Sequence, residues 1–154
     1  MVKFEGFAEL QSPKDLLEKL RHDLKRLEHT PHNQYAAFDF FITADCMVDW
    51  MFLGERGSLS SFRKNNPIVK ITSHVANGAK HFKANKHDSV LDIVKKRYVA
   101  KGYVKEGYFA DPLLFYLDEE GVNLFGVTQI EAYELAQKIF EFWETHLNKA
   151  ITKF

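Results

Sequence analysis

Residues 74–81 read HVANGAKH, with two histidines, an asparagine and a glycine at helical spacing. In a helix, His74, Asn77, Gly78 and His81 stand at positions i, i+3, i+4 and i+7 and therefore share one face. Imidazole and amide groups together can orient a carboxylate, a phosphate or a water molecule. Glycine costs a helix interior about 1 kcal/mol relative to alanine. Gly78 therefore indicates either room beside these side chains or a close crossing by another helix.

Two carboxylates in an earlier segment are candidate partners for this face. Asp45 and Asp49 are four residues apart within an apolar, aromatic pattern, so they lie on the same side of a helix. A charge inside such a pattern is costly unless it is paired, and pairing with His74 or His81 would satisfy it. Such a pair would be structural, would set an imidazole tautomer for catalysis, or would bind a metal.

Many established catalytic motifs do not occur in the sequence. It has neither the Glu-x-x-His pairs of di-iron bundles nor the H-E-x-x-H zinc pattern. It also has no phosphate-binding glycine loop and no dinucleotide fingerprint. Cys46 has no basic neighbour in sequence, and the serines at 58–61 lack a nucleophile elbow. We therefore expect no cofactor and no native metal site.

Length and composition indicate a globular protein. A chain of 154 residues fits one domain, and we treat residues 1–154 as such. No stretch approaches the roughly 18 apolar residues that cross a bilayer, and the first residues lack the apolar block of a secretory signal. The lone Cys46 cannot form an internal disulfide. We expect a cytoplasmic protein that does not associate with membranes.

Charge is balanced overall but unevenly distributed. Residues 80–105 carry eight basic and two acidic side chains, whereas residues 106–154 carry three basic and nine acidic ones. The basic segment includes Lys80 and Lys83, which would complement an anion bound beside His81. One interpretation is therefore an anion-binding or nucleic-acid-binding patch. The other is that the two segments form solvated faces that attract one another.

Local signals predict the first two helices. Ser12 followed by Pro13 and Asp15 is a capping arrangement that starts helix one. Thr30 and Pro31 would cap and open helix two in the same way, which predicts a tight antiparallel helical hairpin. The predicted core stripe of helix two comprises Tyr35, Phe38, Ile42, Met47 and Trp50, widened by Phe41 and Val48.

The rest of the chain predicts a third helix, a sheet and a closing helix. Residues 54–66 have the composition of a loop, and Asn66 with Pro67 opens the third helix. Residues 89–109 alternate like strands, and residues 113–127 resemble a β-hairpin that turns at 118–121. Thr128 with Glu131 forms a capping box for the last helix. The expected fold is α+β, mainly α: a four-helix bundle with a small antiparallel β-hairpin or sheet inserted before the last helix.

The N-G-A-K-H segment on the third helix resembles the signature region of HEPN-type domains, over about residues 12–85. These are small helical bundles, and their nuclease members place an arginine, often followed by a polar residue, shortly before a histidine. Asn77 matches the polar residue and His81 the histidine, while Ala76 occupies the place of the arginine. Lys80 or Arg63 would be the electrostatic substitute for it, although lysine lacks the bidentate guanidinium fork. The resemblance implies metal-independent RNA cleavage by a homodimer, with the arginine stabilising phosphate charge and the histidine assisting proton transfer. The stretches YAAFDFFITADCMVDW and HVANGAKHF are also similar to a set of uncharacterised small bacterial proteins.

Three hypotheses follow. The leading one is a HEPN-like domain that binds RNA or another anion near His81, with cleavage in question because Ala76 replaces the arginine. In it His81 and Asn77 would be the catalytic pair, and the expected ligand-binding residues are His74, Lys80, Lys83, Asp45 and Asp49. The second is a non-enzymatic protein-interaction module of a prophage or toxin–antitoxin type. The third is a metal-dependent hydrolase built on the two histidines and the helix-two carboxylates. An open cleft shared by these groups favours an enzyme, and a buried, hydrogen-bonded cluster favours the module.

Overall fold

The computed structural model describes residues 3–53, 55–83, 89–95 and 112–151. The helices are α1 Pro13–His29, α2 Gln34–Phe52, α3 Arg56–Asn65, α4 Pro67–His81, α5 Glu119–Phe125 and α6 Ala132–Ile151. The strands are β1 Val90–Lys95, β2 Leu113–Leu117 and β3 Gln129–Glu131. The mainly helical α+β fold, with a small antiparallel sheet before the last helix, is thereby confirmed.

Helix α1 begins where its cap was predicted, and α2 does not. Ser12 Oγ accepts a hydrogen bond from the Asp15 N–H at 3.2 Å, and Pro13 opens the helix. Thr30 ends α1, since its N–H donates to the carbonyl of Arg26. The prediction that Thr30 caps helix two was therefore wrong. The cap of α2 is Asn33, whose side-chain oxygen accepts from the N–H groups of two following residues.

The core face of α2 differs from the predicted stripe. Tyr35 and Phe38 are 69% and 49% exposed, so their assignment to the core was wrong. The buried apolar side chains of this helix are Ala36, Ala37, Phe40, Phe41, Ala44, Met47 and Val48. Because α2 carries apolar residues on most of its faces, their periodicity could not show which face packs against the core. The three alanines allow neighbouring elements to approach closely.

Residues 56–65 form helix α3, so the prediction of a loop between helices two and three was wrong. No α3 residue is fully buried, although Phe62 packs against the core. Helix α4 begins at Pro67 as predicted, but Asn66 makes no side-chain capping bond. The side-chain amide of Asn66 instead donates to the Phe62 carbonyl at 2.8 Å and connects the end of α3 to the start of α4.

The predicted hairpin turn at 118–121 is the first turn of helix α5. Asp118 Oδ1 accepts from the Gly121 N–H at 2.9 Å and caps the start of the helix. Gly126, with φ +72°, directly follows the last helical residue. Acidic residues at the start and a left-handed glycine at the end are the usual signals of a short helix. The last helix starts at Ala132 rather than Thr128, because residues 129–131 form β3.

The three strands form an antiparallel sheet in the order β1-β2-β3. In register, Phe115 of β2 lies between Ile93 of β1 and Ile130 of β3. The Phe115 ring packs on Phe41 of α2, with centroids 5.1 Å apart, so the sheet closes over the bundle. The strand pattern predicted over 96–109 lies outside the described residues. None of the described helices is both long and apolar enough to cross a membrane.

Four long helices, α1, α2, α4 and α6, pack around the core. Its largest fully buried side chains include Leu20, Phe40, Met47, Ile71 and Trp143, which come from all four helices. Helix α4 is therefore fixed between α2 and the sheet, and this position decides where the residues of its HVANGAKH segment point.

Candidate functional site

His74 is a buried residue that connects α4 to the sheet. Its Nδ1 accepts hydrogen bonds from the backbone N–H groups of Ser89 at 3.1 Å and Val90 at 2.9 Å. A ring nitrogen that accepts hydrogen bonds carries no proton, so neutral His74 holds its proton on Nε2. The contact anchors the beginning of β1 on α4.

Asp45 lies at the centre of a buried network that joins three helices. Its Oδ1 accepts from Ser73 Oγ at 2.7 Å and its Oδ2 from Lys80 Nζ at 3.0 Å. Arg63 of α3 donates through Nε to Ser73 Oγ at 2.7 Å and lies 3.9 Å from the Asp45 carboxylate. We call Asp45, Arg63, Ser73 and Lys80 the Asp45 cluster. Among the described residues, Asp45 pairs with these side chains rather than with either histidine.

Asp49 and Cys46 border the Asp45 cluster on α2. Burial, reinforced by the negative charge of Asp45, raises the pKa of the Asp49 carboxyl. Burial also raises the pKa of the Cys46 thiol, which favours its protonated form. The two carboxylates of α2 thus differ in their surroundings: Asp45 is bound to cations, whereas Asp49 lies nearer to solvent.

His81 is the last residue of α4 and is exposed, as is Lys83 beyond it. Asn77 is half-buried, one turn after Ser73 and one turn before His81. The seven expected site residues therefore lie in three places: under β1, around Asp45, and at the end of α4. Helical spacing correctly placed His74, Asn77 and His81 along α4, but the packing of α4 gives them different neighbours.

Ala76 is fully buried, and this bears on the missing arginine. An arginine at this position would have to enter the core, where an unpaired charge is costly. A guanidinium reaches α4 instead from Arg63, which is bound to Ser73 one turn before Asn77. Ser73 was not among the expected site residues, and Arg63 was expected only as an electrostatic substitute for the missing arginine. Ser73 and Lys80 are seven residues apart on α4 and therefore share a face, which was the signal for Ser73. Arg63 lay in the segment that was predicted to be a loop.

A groove with a volume of about 790 Å³ lies between α2, α4 and the sheet. Its buried apolar lining is formed by Ala37, Phe41, Val75, Leu113 and Phe115, and its exposed apolar lining by Phe38, Phe82, Leu91 and Ile93. His74, Gly78 and Ala79 complete the wall on α4. We call this cavity the α2–α4–β1 groove.

Gly78 is one of the residues that line the groove. The sequence left two interpretations of this glycine open, room beside the neighbouring side chains or a close crossing by another helix. In the described residues, α4 shares the groove at Gly78 with strands β1 and β2 as well as with α2.

Comparison with protein-family models, with curated proteins and with solved structures gave no match. The resemblance to HEPN-type domains therefore stays a prediction. Within residues 3–53, 55–83, 89–95 and 112–151, no three His, Cys, Asp or Glu side chains are grouped so that they could hold a metal ion.

Proposed function

We propose that the chain is a protein-interaction module that binds an extended apolar segment of a partner protein in the α2–α4–β1 groove. The observation that carries this proposal is the groove itself, with a volume of about 790 Å³ and a largely apolar lining. Concave, mostly apolar surfaces with a few polar groups are the usual form of a binding site. Here Asp92 and Lys95 of β1 supply charged groups at the same surface.

Exposed apolar side chains around the groove support the proposal. Phe82 is 93% exposed and Leu91 is 73% exposed. Soluble monomeric proteins rarely expose large apolar side chains together in one patch. Strand β1 is also one of the two edge strands of the described sheet. An edge strand can pair with an added strand, whose alternate side chains would then enter the groove. This is why we expect the bound segment to be extended.

The distribution of the expected site residues also favours binding. His74 and Asp45 are buried and hydrogen-bonded, while His81 is exposed at the end of α4. A shared reaction centre requires such groups to reach the same atoms. A buried, hydrogen-bonded arrangement was the feature expected of an interaction module.

Leu91→Lys is expected to weaken binding to the groove. Peptides are selected on the wild-type protein from a random peptide display library, and their affinities are measured by fluorescence anisotropy. We expect at least about tenfold weaker binding by Leu91→Lys, or ~1.4 kcal/mol. Leu124→Lys on α5 is the matched control, because Leu124 is also exposed but does not line the groove. It should change affinity by less than about twofold, or ~0.4 kcal/mol.

Equal binding of the selected peptides to both lysine variants would overturn the proposal, and so would failure to select any peptide. Circular dichroism of each variant shows that the fold is retained. Ala79→Glu, on the α4 wall of the groove, provides a second substitution that should act like Leu91→Lys.

A second candidate function is binding of RNA or another anion near His81, as the HEPN-like resemblance implies. It is favoured by the position of Arg63, which brings a guanidinium to α4 although residue 76 is alanine. Lys80 and the exposed Lys83 add positive charge on the same helix end. This proposal includes the expected homodimer and cytoplasmic location.

The second candidate predicts salt-dependent affinity for a fluorescein-labelled, mixed-sequence, single-stranded RNA without added metal. His81→Ala should weaken this binding by about tenfold, or ~1.4 kcal/mol, and should abolish any cleavage seen by gel electrophoresis. His29→Ala is the control, because His29 is an exposed histidine on α1. Phosphate contacts release counterions, so affinity must fall steadily as salt is added. Affinity that is absent or insensitive to salt would exclude this candidate.

A further inference from the structure

Helix α3 is held to the rest of the molecule by few side chains. None of its residues is fully buried, and its first turn has no side-chain cap. Leu59 and Phe62 are partly buried against the core, and Arg63 is bound to Ser73. Its Gly- and Ser-containing sequence is also a poor intrinsic helix former. The stability of α3 therefore depends on these tertiary contacts.

The largest of these contacts is an aromatic cluster formed with α6. The Phe62 ring meets His146 edge to face, with centroids 5.1 Å apart, and stacks on Trp143 at 5.8 Å. His146 is also nearly parallel to Phe142, with centroids 6.0 Å apart. We call Phe62, Phe142, Trp143 and His146 the α3–α6 aromatic cluster. His146 is its one titratable member.

The surroundings of His146 oppose a positive charge on its ring. A cavity of about 430 Å³ beside it is lined by Lys138, Glu141 and Lys149 of α6 and by Asn66 at the junction of α3 and α4. Glu141 is the only carboxylate among these described lining residues. Burial, together with the charge of Lys149, lowers the pKa of His146. The neutral ring is thus the form that packs against Phe62.

We propose that α3 is an acid-sensitive flap, which is released from α6 when His146 becomes protonated. Release would move Phe62 out of the α3–α6 aromatic cluster and Arg63 away from Ser73. The Asp45 cluster would then be opened to solvent. The flap would therefore couple pH to the exposure of Asp45.

The direction of the effect follows from proton binding. Once α3 is released, His146 gains solvent and its pKa returns toward the ordinary value of about 6.5. The released state therefore binds more protons than the closed state near that pH. Lowering the pH through this range favours release, and raising it restores the closed state.

Hydrogen exchange of the full chain, read by mass spectrometry, tests the flap. Between pH values of about 7.5 and 5.5, on either side of the ordinary histidine pKa, amides 56–65 should lose about threefold or more of their protection. This loss is taken after correction for intrinsic exchange rates, and α1 amides serve as the internal reference. In His146→Phe, which keeps an aromatic ring that cannot be protonated, the pH response of α3 should disappear. In His22→Gln, which changes an exposed histidine, the response should persist.

A second variant separates loss of packing from loss of titration. His146→Gln removes both the ring and the charge, so α3 should exchange faster than in the wild type at both pH values, without a pH response. A response that persists in His146→Phe and His146→Gln would overturn the proposal. So would a wild-type α3 whose protection does not change relative to α1.

Discussion

Replacing Asp45 with asparagine is expected to lower the free energy of unfolding by about 3 kcal/mol at neutral pH. The Asp45 side chain is 11% exposed and accepts hydrogen bonds from Ser73 and Lys80, with Arg63 close by. The substitution keeps the size of the side chain but leaves two cations without their counter-charge. Breaking a buried pair by removing one partner typically costs 3–5 kcal/mol. Lys80 is 35% exposed, which places the effect at the lower end of that range.

Asp39→Asn is the matched control for this prediction. Asp39 is also an aspartate of α2 with an ion-pair partner, Arg26, but both side chains are about half exposed. An exposed pair contributes little, so this variant should lose less than ~1 kcal/mol. Urea unfolding followed by circular dichroism measures both variants. Equal losses in the two variants would show that the Asp45 cluster does not behave as a buried charge network.

The sequence predicted the parts of the fold that local signals determine. Ser12 and Pro13 at the start of α1, and Pro67 at the start of α4, mark helix ends through contacts within a few residues. Helix α3 was missed because its composition resembles a loop and its support is tertiary, from Phe62 and Arg63. Composition cannot reveal that a distant α6 supplies the surface on which a weak helix folds.

The candidate site was predictable only along α4 itself. The spacing of His74, Asn77 and His81 is helical, as expected, but the partners of His74 lie fifteen and sixteen residues further along the chain. Those partners depend on where β1 packs, which is a non-local property. The contact between Arg63 and Ser73 likewise arises from the packing of α3 against α4. The sequence therefore showed which residues share a helix, and packing decided which of them meet.

His74→Ala is expected to lower the free energy of unfolding by about 3 kcal/mol, since two backbone N–H groups lose their acceptor. The Ser89 amide is buried and the Val90 amide half-buried, so water cannot fully replace the lost hydrogen bonds. The anchor between α4 and β1 is lost with them. Amides of β1 should therefore exchange faster in native conditions than they do in the wild type, while those of α1 stay protected.

His81→Ala is the control, because His81 lies on the same helix but is exposed. Its effect should stay within about 0.5 kcal/mol, as for ordinary surface substitutions. His74→Asn retains a side-chain oxygen that can accept one N–H, so it should recover part of the loss. If His74→Ala were as mild as His81→Ala, the anchoring role would be wrong. If the expected difference is found, the two histidines of HVANGAKH have separate roles: His74 fixes the strand that lines the groove, and His81 is left accessible to a ligand.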